Sequence, residues 1–68
     1  MIKPGQVYIS KTDPSRLAII ERVDSNSRYS IHGGDYIYYR VAVDGGHDPC
    51  SLESINFTER YILYQDVL

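Results

Sequence analysis

Glycine and proline interrupt this chain repeatedly and divide it into short runs rich in valine, isoleucine and tyrosine. Glycine stands at positions 5, 33, 34, 45 and 46, and proline at positions 4, 14 and 49. Between these turn residues lie β-branched and aromatic side chains, which suit a pleated, half-buried surface. Short β-prone runs at this spacing predict a small antiparallel barrel or sandwich. With 68 residues, the chain has room for one domain, residues 1–68.

The turn residues also set the boundaries of the predicted strands. The polar loop KTDPS separates a first strand from an apolar second strand, which we expect to be the most buried. SNS then reverses the chain ahead of a third strand with Tyr29 and Ile31 on one face. The two Gly-Gly pairs have the chemistry of two-residue hairpins on either side of a long fourth strand. These four strands are predicted at residues 6–10, 16–24, 28–32 and 35–44.

The sequence after residue 49 leaves two interpretations open. CSLESINF could form a strand, Thr58 could act as the N-cap of a helical turn, and YILYQDVL could continue that helix or complete the sheet. We favour a single 3-10 or helical turn followed by a last short strand, because a helix running to the end would leave a barrel unclosed.

Several short motifs near the two ends resemble one group of proteins. MIKPGQVY, DPSR ahead of LAIIERVD, then SLESI and RYILY are similar to the layout of short SH3-like barrel proteins encoded by phages and prophages. The resemblance covers about half of the chain. The chain departs from the layout of these proteins in the middle, where NSRYSIHGGDYIYYR is longer than the single strand expected there. It implies a mainly β, antiparallel SH3-like barrel of five or six strands and a phage origin, and it carries over no catalytic residue.

Charge and cysteine content narrow the setting. Nine acidic and seven basic residues give a net charge of −2, without the basic excess typical of phosphate-binding domains. Cys50 is the one cysteine, so an intrachain disulfide is excluded and a reducing, intracellular environment is expected. Neither a signal peptide nor an apolar membrane span is apparent. We therefore expect a cytoplasmic protein, in a bacterial host cell if phage-encoded, with no membrane partner.

Alternation along the fourth strand predicts a binding surface. Ile37, Tyr39, Val41 and Val43 form one apolar set, which should face the core, because successive strand residues point to opposite faces. The other set contains Arg40, whose charge would be costly to bury, so this set should face outward. Tyrosine and arginine, the residue types enriched at binding hot spots, therefore lie in one outward row. That row is Tyr36, Tyr38 and Arg40.

The same row could instead serve only to pack the sheet. Tyrosines on a sheet face often do no more than contact cross-strand neighbours, and the tail could cover them. At the rim of the predicted surface we place Asp35, Asp44 and the two histidines beside the Gly-Gly pairs, which could add pH sensitivity or be ordinary turn residues. These histidines are His32 and His47.

The sequence gives only weak indications of metal binding or catalysis. His47 and Cys50 have a spacing seen in zinc sites, but a structural site needs four ligands, so no metal or other cofactor is expected. His47 as a general base and Cys50 as a nucleophile would lack a third group to orient the histidine, so we do not expect the protein to be an enzyme. The predicted function is non-catalytic docking on a host or phage protein, with inhibition of a host enzyme or defence component as one outcome. Single-stranded nucleic acid and a small ligand held by a homo-oligomer are the alternatives.

Overall fold

The computed structural model describes residues 1–43 and 45–67, without the side chain of Val43, as one antiparallel sheet and a short helix. The strands are β1 (Val7–Ser10), β2 (Leu17–Asp24), β3 (Tyr36–Val43), β4 (Gly46–Glu53) and β5 (Tyr61–Gln65), and helix α1 (Ser54–Arg60) precedes β5. The strand order is β4-β3-β2-β1-β5, so β4 and β5 are the edges of an unclosed sheet. The mainly β class is confirmed, whereas a closed barrel is not shown.

The predicted inward set of β3 is confirmed at three positions. Ile37, Tyr39 and Val41 are only 0%, 4% and 1% exposed. Ala18 of β2 pairs with Val41, and Ile20 pairs with Tyr39, so these buried residues lie on the same side of the sheet. This side is the inner face of the sheet.

Helix α1 covers the inner face through one residue. Phe57 is fully buried, and its ring lies 5.1 Å from the ring of Tyr8, 4.9 Å from Tyr39 and 4.7 Å from Tyr61, centroid to centroid. Edge-to-face and offset stacking at these separations adds to the burial of apolar area. Four aromatic rings from β1, β3, α1 and β5 therefore form the centre of the core.

The predicted strand at residues 28–32 is wrong. This segment connects β2 to β3 through successive turns, in which the amide of Ser30 donates to the carbonyl of Ser27 and the amide of Gly33 donates to that of Ser30. Backbone groups engaged within their own turns cannot join a sheet ladder. Consequently the first Gly-Gly pair is not a hairpin turn between two strands. At the second pair, Val43 is already opposite Gly46 and Gly45 has a φ of +85°, so only one of the two glycines lies outside the strands.

The tail follows the favoured interpretation, a helical segment and then a last strand, with different boundaries. The strand predicted from Cys50 ends at Glu53, where the amide of Ser54 donates to the carbonyl of Asp35 and α1 begins. Thr58 lies inside this helix and donates its hydroxyl to the carbonyl of Ser54, so its prediction as N-cap is wrong. Phe57 requires this helical path, because a continued strand would carry it past the core. The predicted final strand is confirmed as β5, and no described helix has the length and apolar character to span a membrane.

Candidate functional site

The outer face of the sheet, the side away from α1, carries the predicted row of β3. Tyr36 and Tyr38 are half-buried and Arg40 is exposed. On β4, Ser51 pairs with Tyr38 and Pro49 pairs with Arg40. The hydroxyls of Tyr36 and Ser51 are 3.3 Å apart. The structure therefore places the row on one face, with parts of both tyrosine rings accessible.

Three tyrosines on this face contact one another and form what we call the tyrosine cluster: Tyr29, Tyr36 and Tyr38. The ring centroids of Tyr36 and Tyr38 are 5.3 Å apart in an edge-on arrangement, and those of Tyr29 and Tyr36 are 5.9 Å apart. Tyr29 is 59% exposed and comes from the β2–β3 connection. Mutual packing therefore restricts the positions of these rings.

Arginines accompany the tyrosine cluster. The guanidinium carbon of Arg22 lies 4.1 Å from the ring centroid of Tyr38, and that of Arg28 lies 5.8 Å from the centroid of Tyr29. Both separations are within the range of cation–π attraction. Within the described part of the chain, neither arginine has a carboxylate oxygen within 4.0 Å. The cluster thus presents two positive charges without neutralising partners among those residues.

Arg40 lies exposed on the outer face, as predicted, and it also forms an ion pair that the sequence did not indicate. Its Nε lies 2.7 Å from Oε2 of Glu21, across the strand pair, so the two residues form an ion pair. Glu21 is available because the pairing of β2 with β3 shifts register between Ile20 and Arg22, leaving Glu21 as the extra residue of a bulge. We therefore regard Arg40 as a neutralised residue at the border of the cluster.

The predicted rim residues that the structure describes do not form a group. The amide nitrogen and Nδ1 of His32 lie 2.9 and 3.0 Å from Oε2 of Glu53, so this histidine anchors the β2–β3 connection to β4. Hydrogen bonding from the amide of His32 lowers the pKa of Glu53, which is buried on the outer side. Asp35 is half-buried and holds the start of α1 through its carbonyl, and Asp44 lies outside the described residues. His47 is exposed at the opposite end of the β3–β4 hairpin.

The metal-like spacing of His47 and Cys50 brings no ligands together. Both residues belong to β4, where an odd separation places side chains on opposite faces. His47 pairs with Ala42, whereas Cys50 pairs with the inward residue Tyr39. In residues 1–43 and 45–67, no three side chains of histidine, cysteine, aspartate or glutamate converge to hold a metal ion.

Sequence reasoning missed a second apolar area on the outer face, which we call the aliphatic patch. Val7 pairs with Ile19, and Ile9 pairs with both Leu17 and Ile62, while the residues between them in β1 and β2 are buried on the inner face. The signal was the continuous run LAII in β2, from which we predicted only that this strand would be the most buried one. Instead, Ala18 and Ile20 are buried and their neighbours are only half-buried. The patch is Val7, Ile9, Leu17, Ile19 and Ile62.

A cleft of about 430 Å³ opens beside the end of α1. Tyr39 and Tyr61 line it, and Nε of Arg16 donates to the hydroxyl of Tyr61 at 2.9 Å, which raises the pKa of Arg16. Burial raises the pKa of Tyr39. The lining contains three cationic residues, Lys11, Arg16 and Arg60, and two carboxylates, those of Asp13 and Glu59.

No protein-family model, curated protein or solved structure matches this chain. The phage origin and the SH3-like identity implied by the resemblance stay predictions. The function proposed below rests on the geometry of the outer face and of the cleft.

Proposed function

We propose that this protein is a non-catalytic binding module that docks on another protein through the outer face of its sheet. The observation that carries this proposal is the presence of two partly accessible apolar areas on the same face of the sheet. Arg40 pairs with Ile19 and forms an ion pair with Glu21, so one neutralised pair lies between the tyrosine cluster and the aliphatic patch. None of the aliphatic residues is among the hydrophobic side chains packed against the core. An extended apolar surface with a polar border is typical of protein interaction sites.

The charges on this face indicate the chemistry of the partner. Arg22 and Arg28 lie beside tyrosine rings and lack carboxylate partners among the described residues. A complementary surface would present aliphatic or aromatic side chains flanked by aspartate or glutamate, since opposite charges orient an encounter and like charges prevent it. We therefore infer an acidic, apolar patch on a host or phage protein.

Stacking of nucleic-acid bases is less compatible with this geometry. The guanidinium of Arg22 already occupies one face of the Tyr38 ring, and Tyr36 lies edge-on to the same ring. A base would have to displace the guanidinium to stack there.

Replacing Tyr36 and Tyr38 together with alanine should weaken binding of the docking partner by at least about 30-fold, the effect of losing one strong hot spot. The partner is first identified by mass spectrometry as the protein that the wild type retains from a lysate of the source cells. It is then purified, and its dissociation constant is measured by calorimetry against each variant. Circular dichroism should show the same sheet in both proteins, because neither tyrosine belongs to the core.

The matched control is Ile55→Ala, which removes an apolar side chain of 49% exposure from α1, away from the outer face. The control should bind like the wild type. Equal affinity of the wild type and the double variant would refute docking through the tyrosine cluster. Binding of a thymidine oligonucleotide that disappears with added salt and with the double variant would instead assign the face to nucleic acid.

The finer description of the fold and its origin belongs to the same proposal. We infer an SH3-like small barrel encoded by a phage, as the sequence resemblance implies. The five antiparallel strands and the helix ahead of the last strand support the barrel interpretation. Inhibition of a host enzyme or defence component would be one consequence of docking.

The cleft supports a second candidate function, the binding of a small anionic ligand. Its lining combines three cationic side chains with the hydroxyls of Tyr39 and Tyr61, and its volume of about 430 Å³ is in the range of ligand pockets. Phosphate or carboxylate groups match such donors, because charged hydrogen bonds are the strongest. Here the single domain provides an opening that we expected only from an oligomer.

Lys11→Ala should weaken binding of a nucleoside monophosphate by about tenfold, the effect of one lost charged hydrogen bond. The measurement is an NMR titration that follows the amide signals of Lys11, Thr12 and Arg16. Lys3→Ala removes the same charge from a residue that does not line the cleft, and it should leave the affinity unchanged. Absence of any shift in the wild type, or equal weakening by both variants, would exclude this function.

A further inference from the structure

The connection between β2 and β3, residues 25–35, carries an unusually exposed apolar side chain, that of Ile31. Ile31 is 85% exposed, more than any other large hydrophobic residue of the described chain apart from Met1. Turns favour glycine, asparagine, aspartate and serine, so turn chemistry does not require an isoleucine at this position. A lone apolar residue on a surface is ordinary. Ile31, however, is only two residues from Tyr29, which is 59% exposed and belongs to the tyrosine cluster.

The residues on either side of Ile31 attach the connection to the outer face. Tyr36 and Glu53 are paired across β3 and β4, so their side chains point to the same face of the sheet. The ring of Tyr29 contacts that of Tyr36, with the centroids 5.9 Å apart. The amide and Nδ1 of His32 lie 2.9 and 3.0 Å from Oε2 of Glu53. Ile31 is therefore held at the border of the outer face, beside the tyrosine cluster.

Hydrogen bonds within the connection restrict the backbone around Ile31. The amide of Ser30 donates to the carbonyl of Ser27 at 3.2 Å, and the amide of Gly33 donates to the carbonyl of Ser30 at 3.4 Å. The hydroxyl of Ser30 also donates to the carbonyl of Gly34. These bonds close turns on both sides of Ile31, so its side chain projects from a segment with a defined conformation.

The composition of the connection indicates what Ile31 contacts. Residues 25–34 contain Arg28 and no acidic residue, which matches the acidic partner inferred above. A branched aliphatic side chain cannot stack on a nucleic-acid base as an aromatic ring does. It gains free energy by leaving water for an apolar pocket. A protein with such a pocket is therefore the occupant that this side chain fits.

We propose that Ile31 is an anchor of the docking surface and inserts into an apolar pocket of the partner protein, next to acidic groups that face Arg28. The inference rests on the docking function proposed above. It adds that the partner has a concave site as well as an acidic, apolar patch, and that the β2–β3 connection contributes to specificity. Residues that fill well-packed pockets carry most of the affinity of many protein interfaces.

A graded series of substitutions at position 31 tests the pocket by calorimetry. The probe is the partner protein that the wild type retains, purified as for the variant of Tyr36 and Tyr38. Ile31→Val removes one carbon and should raise the dissociation constant about fourfold, whereas Ile31→Ala removes three and should raise it about 50-fold. Ile55→Ala removes the same atoms from α1 and should bind like the wild type. Circular dichroism should be unchanged throughout, because Ile31 is not part of the core.

The outcomes separate the anchor from the docking function itself. If Ile31→Ala binds like the wild type while the double variant of Tyr36 and Tyr38 binds weakly, the anchor is overturned and docking through the tyrosine cluster stands. Weakening by Ile31→Ala alone would support the anchor and refute docking through the cluster. Wild-type affinity in all variants, or a wild type that retains no protein, would refute both.

Two further results would overturn the pocket in the partner protein. Equal weakening by Ile31→Val and Ile31→Ala would show that the effect does not scale with the apolar area removed, as burial in a pocket requires. Sedimentation equilibrium tests whether a second copy is the occupant. A wild-type dimer that becomes a monomer of 7.8 kDa with Ile31→Ala would assign the side chain to self-association instead.

Discussion

Phe57→Ala should remove most of the stability of this domain. Phe57 is fully buried and its ring contacts the rings of Tyr8, Tyr39 and Tyr61. Truncation of a buried phenylalanine costs about 3–5 kcal/mol. A domain of this size has a free energy of unfolding of about 3–10 kcal/mol. We expect a fall in Tm of about 15–30 °C, or no folding transition at all. Urea unfolding followed by circular dichroism measures the loss.

The effect should be specific to the position of Phe57. Ile55→Ala on the same helix removes a side chain that is 49% exposed, and its cost should stay within about 0.5–1 kcal/mol. Phe57→Leu should fall between the two, since it keeps an apolar side chain but loses the aromatic contacts. A Phe57→Ala variant that is less than about 1 kcal/mol below the wild type would mean that α1 does not close the core.

Gln6→Leu should be the second most damaging change. Gln6 is 3% exposed and links three segments. Its Oε1 accepts hydrogen bonds from the amide of Lys3 at 2.7 Å and from the hydroxyl of Tyr8 at 3.1 Å, and its Nε2 donates to Asp66 at 2.8 Å. Leucine fills a similar volume but leaves these groups without partners. Each unsatisfied buried group costs about 1–3 kcal/mol, so we expect a total of about 2–4 kcal/mol, measured by urea unfolding.

A double-mutant cycle with Tyr8→Phe separates the hydrogen bond from the packing. Tyr8→Phe removes the hydroxyl that Gln6 binds and keeps the ring that packs against Phe57. Because the two residues share one bond, the combined cost of both changes should be about 1 kcal/mol less than the sum of the single costs. Strict additivity would show that Gln6 and Tyr8 act independently.

The position of the candidate docking row was predictable because it depends on neighbouring residues alone. Alternation in a strand assigns Ile37, Tyr39 and Val41 to one face without knowledge of any partner strand, and their burial agrees with that assignment. The partners of the row were not predictable. Arg22 reaches Tyr38 and Glu21 reaches Arg40 through a bulge in β2, and a shift of register by one residue leaves no mark in the local sequence pattern.

The interpretation of residues 28–32 failed because a short alternating run is compatible with turns as well as with a strand. RYSIH has the alternation expected of a strand, but the hydrogen bonds of Ser30 and Gly33 close turns within the segment. Its position depends on the bond between His32 and Glu53, which are 21 residues apart in sequence. The same contact explains why a carboxylate on the outer side of β4 is buried.

The sequence by itself determined the β class, the inward set of β3, the tight turn before β4 and a last strand near the C-terminal end. Each follows from side-chain alternation or turn chemistry, which act over a few residues. Tertiary structure alone decided the open aliphatic patch, the path of α1, the hydrogen bonds of Gln6 and the free edge of β5. These features depend on which distant segments meet, such as Gln6 with Asp66 at a separation of 60 residues. Burial and pairing at such separations are properties of the whole packed chain, so no local pattern can specify them.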